Sequence, residues 1–255
     1  MKDLSRTLTV LADGEPVTGF AHARLTGRDA VGLYPYPFTL KLWNLPDSAY
    51  YRLSAAKEIS VLHKDSILAR GTVSDVYRET VPEGTLTRAV FAAGLGLWQA
   101  PVSLSVEAGI PVSETVRRIL AVSGAGISLL SFPGEDPVRS RGQAFSGRAA
   151  ECVESALSAA KARCCLAPAG LCVIPAAGLP VSMELTEADL TDAPAGAGDR
   201  MLVLRTKVIG WPLGKQVSVK WKNESAGGLV VERCVDADNL EGNWRCELLL
   251  ETRQG

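Results

Sequence analysis

The 255-residue chain is poor in the groups that usually carry chemistry. It has two histidines, His22 and His63, and no Cys-x-x-Cys pair among its six cysteines, which excludes a Cys/His zinc site at the usual spacing. Neither sign of charge dominates. Lys plus Arg number 27 and Asp plus Glu 28, for a net charge of -1, without the concentrated basic excess of a nucleic-acid surface. Long uninterrupted apolar runs are missing too. The uncharged window 89–106 is broken by Gly94, Gly96, Gln99 and Pro101, and the window 164–183 by Pro168, Gly170, Pro175, Gly178 and Pro180. A membrane-spanning helix needs roughly 20 predominantly apolar, helix-compatible residues, so neither window qualifies. The opening MKDLSRTLTV lacks the apolar core and small-residue cleavage site of a signal peptide.

Catalytic signatures are equally scarce. No GxSxG elbow occurs, because Ser128 and Ser225 each have glycine on one side only at the needed offset. HExxH and the phosphate-binding GxxxxGK[ST] are absent. Gly94-Leu95-Gly96 lacks the third glycine and helix start of a dinucleotide loop and reads as a bulge or strand end. Residues 236–247 superficially suggest a calcium loop. However, Leu240 takes the fifth position, glycine falls seventh and Glu247 lies in a predicted strand, so a polar turn is expected. His63 sits at an apparent hairpin turn, and both histidines read as structural rather than as bases for a cysteine nucleophile. No catalytic, cofactor-binding or metal residue is therefore nominated.

What is present is β grammar. Leu4, Leu8 and Val10 lead to the turn Ala12-Asp13-Gly14-Glu15-Pro16, and a strand-like stretch resumes over 17–26. After Tyr34-Pro35-Tyr36-Pro37, Phe38, Leu40 and Leu42 alternate as in a half-buried strand. A helix is expected over 48–57, a hairpin around His63-Lys64-Asp65-Ser66, and strands over 86–93 and 102–106. The character then changes. Helices are expected from Ile110-Pro111-Val112-Ser113 to Gly124 and over about 148–162, with a strand near 127–132 and a hairpin turning at Pro168-Ala169. Residues 176–198 read as linker and exposed loop. Four further strands follow over 201–209, 216–221, 229–235 and 244–251, at the spacing of a sandwich or barrel. The two β parts show no clean sequence repeat.

A hairpin at Pro168 sets Cys165 opposite Cys172, and one centred on Leu240 sets Cys234 opposite Cys246. The favoured reading is that the cysteines pack as small hydrophobes, with disulfides the alternative. Trp43, Trp98, Trp211, Trp221 and Trp244 lie in or beside predicted strands, as core residues for the most part or else as anchors of a protomer interface.

In order and spacing, these elements resemble the baseplate hub proteins of phage tails, the family related to late-control D-type tail proteins and the hubs of contractile injection systems. The resemblance is carried by Phe38-Thr39-Leu40-Lys41-Leu42-Trp43-Asn44-Leu45 before a short helix, and by Leu68-Ala69-Arg70-Gly71-Thr72-Val73. Residues 109–120 (GIPVSETVRRIL) and Asp238-Asn239-Leu240-Glu241-Gly242-Asn243-Trp244 extend it. The chain departs from the family at Arg233-Cys234-Val235, where histidine is frequent, and around Gly214-Lys215-Gln216-Val217. It is also short for the family.

The resemblance implies an α+β, mainly β fold. Two antiparallel β-barrel-like tube domains, residues 1–106 and 177–255, would flank a small α+β module, residues 107–176. It further implies a non-enzymatic homotrimer without cofactor, whose ring adapts a sixfold tail tube to a threefold spike. Its partners would be the tail spike, tail tube and baseplate proteins, with no membrane and with DNA at most passing through the lumen. The place implied is the virion tail baseplate, after assembly in the bacterial cytoplasm. A tail-associated peptidoglycan-degrading enzyme and a carbohydrate- or receptor-binding tail module are the alternatives.

Overall fold

A computed structural model describes residues 6–176 and 178–252; Leu4 of the first apolar pattern lies outside them. The first β part comprises β1 (Thr9–Ala12), β2 (Glu15–Val17), β3 (His22–Ala30), β4 (Pro37–Trp43), helix α1 (Asp47–Ala55), β5 (Glu58–His63), β6 (Ser66–Val81) and β7 (Gly84–Ala92). The middle module comprises α2 (Leu95–Gln99), β8 (Pro101–Val106), α3 (Val112–Ser123), β9 (Leu129–Ser131), β10 (Gln143–Arg148), α4 (Ala149–Ser158), β11 (Arg163–Ala167) and β12 (Gly170–Ile174). The last part comprises β13 (Val181–Thr186), β14 (Ala195–Gly196), β15 (Met201–Lys207), β16 (Gln216–Trp221), β17 (Glu224–Asp238) and β18 (Trp244–Glu251).

The fold is mainly β and mainly antiparallel. One 13-stranded sheet takes strands from both β parts, in the order β14-β15-β18-β17-β3-β4-β7-β6-β5-β1-β2, with β16 beside β17 and β13 beside β16. This pairing path is open at both ends and does not close into a barrel. One apolar core, including Leu25, Phe38, Ile59, Phe91, Leu204, Val219, Val230 and Leu248, lies under both parts.

The two parts repeat one another in strand order. In the first, β3, β4, β7, β6, β5 and β1 are neighbours in that sequence; in the last, β14, β15, β18, β17, β16 and β13 are. The outermost pair differs in direction, β1 being antiparallel to β5 and β13 parallel to β16.

Details repeat as well. Each part has a short strand and a two-residue turn whose lysine adopts positive φ, Lys64 at 54° and Lys222 at 53°. A long strand follows, whose register to the next hairpin strand shifts at one residue, Ser74 in β6 and Val231 in β17. Just before each shift stands a glycine pressed on a neighbouring backbone. A Cβ on Gly71 would lie 2.3 Å from the Ala92 carbonyl carbon, and one on Gly228 2.5 Å from the Glu251 carbonyl oxygen. Only glycine tolerates such an approach without moving the partner strand.

The middle module has its own core, built on Val112, Val116, Ile119, Val153, Ala156 and Leu171. Pro111 precedes the first turn of α3, the Asp136 carboxylate accepts the Ser113 N–H at 2.9 Å, and Gly124 ends the helix at φ 64°. β8, expected with the first part, pairs instead with β10, and Val102 and Val106 join the middle core. Neither α2 nor β10 is evident from the residue pattern.

One expectation fails on register and one on composition. Cys165 does pair with Cys172 across β11 and β12. Cys234, however, pairs with Glu247, and Cys246 with Val235, so these cysteines are one residue out of step and face opposite sides. All six cysteines are free thiols. The supposed linker 176–198 contains β13, a short 3-10 turn (Glu187–Asp189) and β14. Gly178, Pro180, Pro194 and Gly198 fall in the connections around these short strands, so the segment is part strand and part loop.

Candidate functional site: the seam between the β parts

The groups of greatest physical consequence gather where β3 of the first part pairs with β17 of the last, Ala30 opposite Glu232 through Arg24 opposite Asp238. Their inward side chains follow the strand alternation. On β17, Arg233 is in phase with the buried Val235 and Ala237; on β3, Asp29 is in phase with the buried Leu25 and Ala23.

Arg233 is fully buried. Its Nε donates to Asp29 Oδ1 at 3.2 Å and its Nη2 to Oδ2 at 2.9 Å, a two-pronged pair. Nη2 also donates to the Leu68 carbonyl at 2.6 Å and Nη1 to that of Gly210 at 3.4 Å, while the guanidinium lies 4.8 Å from the Trp211 ring centre. One side chain thus ties β17 to β3, to β6 and to the loop before β16. Burial pushes the Asp29 carboxyl above its ordinary range, and Arg233 opposes that shift. The paired donors favour the ionised form.

Shallower pairs cross the same seam. Arg24 holds Asp236 with two contacts of 3.0 Å, and Arg28 lies 3.4 Å from Glu232. At the far end His22 Nε2 meets Asp238 Oδ1 at 2.7 Å, with the imidazole stacked 4.1 Å from the Trp43 ring centre. Burial alone would push Asp238 up. Hydrogen bonds from the Glu241 and Leu240 N–H groups (2.9 and 3.0 Å) and from His22 outweigh it and hold the carboxyl below the usual value. This is a polar turn closed by an aspartate, as expected for this segment.

His63 Nδ1 meets the Thr7 carbonyl at 2.9 Å, with the ring edge against Trp244 at 5.0 Å. Both histidines thus have structural neighbours, and no His/Cys/Asp/Glu group suited to a metal occurs among the described residues. A cleft of about 150 Å³ lies between the first part and the β11–β12 turn. Its Arg70 is engaged by Glu58 at 2.8 Å and by the Pro168 carbonyl at 3.0 Å. Burial pushes the Cys165 thiol up to about 12, with further contributions from Cys172 and Asp29, and raises the other thiols too, which keeps them protonated. No helix among the described residues is long and apolar enough to cross a membrane. The site is a structural joint; in the residue pattern its centre, Arg233, stands out only as a departure from the family.

No protein-family model and no curated protein sequence matches the chain. Solved structures do. A tail protein from Neisseria meningitidis MC58 superposes with a TM-score of 0.71 at 11% identity, over 96% of each chain. The 43 kDa tail protein of prophage MuSo2 from Shewanella oneidensis gives 0.63 at 12%, over 96% of this chain and 97% of that one. The E. coli c3393 protein, a type VI secretion component similar in structure to the T4 tail proteins gp27 and gp5, gives 0.68 at 11%, over 96% and 77%. The chain therefore has the fold of phage tail proteins and of their secretion-system counterparts.

Proposed function

We propose that this chain is the structural hub of a phage or phage-like tail baseplate, a homotrimer whose ring adapts a sixfold tail tube to a threefold spike. The first β part, β1 to β7, and the last, β13 to β18, supply two tube parts per subunit, six around the ring, and the middle module, with β8, stands off it. The observation that carries the reading is the repeated strand order within a single chain. A subunit containing two copies of one unit can present threefold symmetry on one face and near-sixfold symmetry on the other. The shared fold of tail proteins supports it. The role is geometric: the hub contacts spike, tube and baseplate proteins, DNA contacts it at most by passage through the lumen, and it is assembled in the bacterial cytoplasm before taking its place in the virion. Light scattering on the purified chain, alone and mixed with the spike protein of the same tail, tests this. The expected result is three times the chain mass in at least one condition. A monomer at high concentration in both would overturn it.

A further inference from the structure

The sheet has one seam made within the chain and the two halves of the same seam left unmade. Aligning β6 with β17 at their register shifts, Ser74 and Val231, sets residues 75–81 against residues 232–238. On β17 those residues carry β18 on one edge and β3 on the other. On β6 they carry β7 on one edge, while β5 stops at Thr72 and, among the described residues, no strand takes the remainder. Burial follows the pairing. Arg233, Val235, Ala237 and Asp238 are buried, whereas nothing in 75–81 is, and Tyr77 is 41% exposed.

The other half lies at the opposite end. β3 lines the edge of β4 with Thr26 opposite Thr39, and β14 lines the edge of β15 with Ala195 opposite Val203. β4 and β15 occupy matching positions, Leu40 opposite Ala89 of β7 and Leu204 opposite Leu248 of β18. Residues 191–199 therefore stand where β3 stands. They are exposed apart from Pro194, and β14 ends the pairing path.

We infer that residues 191–199 of one copy of this chain add as a strand to the 75–81 edge of β6 in a second copy, repeating between chains the β3–β17 seam found within one. The inference rests on the ring reading and specifies its contact. The interface is head-to-tail, so each copy has one donor edge and one acceptor edge, and only a closed ring leaves none open. Transferring the β3–β17 register, where Cys234 faces Arg28, places Tyr77 opposite Ala197 and Asp75 opposite Asp199. Facing aspartates repel, so this seam is weaker than the in-chain one and strengthens as salt screens them.

The test uses two single variants of the full chain, Tyr77→Cys and Ala197→Cys, oxidised separately and mixed, at high salt and high concentration, with the parent as control. Opposed residues of antiparallel strands lie at disulfide distance. The expected result is a covalent dimer formed in the mixture and absent from either variant alone. A double variant carrying both cysteines should give covalent dimer and trimer and no higher species. Crosslinking of Tyr77→Cys to itself would overturn the inference, as would an oligomer seen by light scattering with no mixed crosslink. That second outcome leaves the hub reading standing. A monomer with no crosslink, both alone and with the spike protein added, overturns both.

Discussion

β6 and β17 are one design used in two surroundings. Each is a long strand entered through a lysine turn, with a close-packed glycine three residues before its register shift. Past that point β17 is covered on both edges and is mostly buried, while β6 is covered on one edge and is at most half-buried. The same backbone thus carries Arg233 where a second strand seals it and Val76 where none does. A strand's position in the fold is set by local turn and glycine chemistry; its side chains record what lies across the edge.

The largest contrast is expected at those two residues. Arg233→Ala leaves Asp29 buried without its partner and should cost about 3–5 kcal/mol, whereas Val76→Ala should cost under about 1 kcal/mol. Urea unfolding of both variants measures the difference. Equal losses would erase the distinction between sealed and open edge. The double variant Arg233→Met/Asp29→Leu removes both charges and should recover much of the loss, since apolar replacements of a buried pair are often neutral or better.

The shared close-packed glycine gives a smaller, symmetrical effect. Gly71→Ala and Gly228→Ala each force a methyl group against a backbone, and each should cost about 1–3 kcal/mol in the same assay. A loss at only one site would break the equivalence of the two strands.

The pH response is smaller again and belongs to the sealed seam. Asp238 is held below its ordinary value of 3.8, so its contribution is complete above that value and is lost as pH falls through its lower folded value. Thermal melts of the parent and of Asp238→Asn should therefore converge at acid pH and diverge above it; a constant gap would contradict this. Smallest is the thiol effect. With burial holding the thiols protonated, a thiol reagent should label Cys152, Cys164, Cys165 and Cys246 only on unfolding, and the denatured, unreduced chain should titrate all six. Fewer than six would mean a disulfide.

Much of the local structure was legible in the residues. The strands at 216–221 and 244–251 coincide with β16 and β18, the His63–Ser66 hairpin forms as read, and α3 ends at Gly124. The misses have physical causes. Ser225-Ala226-Gly227-Gly228 looks like a loop, but its glycines permit close backbone contacts within an unbroken β17. The strand β13 hides among prolines because it lies toward the sheet margin. The last turn closes with Ala237 opposite Trp244 rather than symmetrically about Leu240, which puts Cys234 and Cys246 on opposite faces. The joint itself had one readable sign, Arg233 in phase with Val235 and Ala237, but its partner Asp29 lies far away along the chain. The repeat was hidden because its shared residues are few: a lysine turn and one glycine.

Amide hydrogen exchange, followed from dilute to concentrated protein alongside the solution mass, reaches the central comparison most directly. Protection at 232–238 should be the same throughout, while 75–81 and 191–199 should slow together as the mass rises. Protection of 75–81 already complete in a dilute monomer, or unchanged once the assembly has formed, would contradict the account.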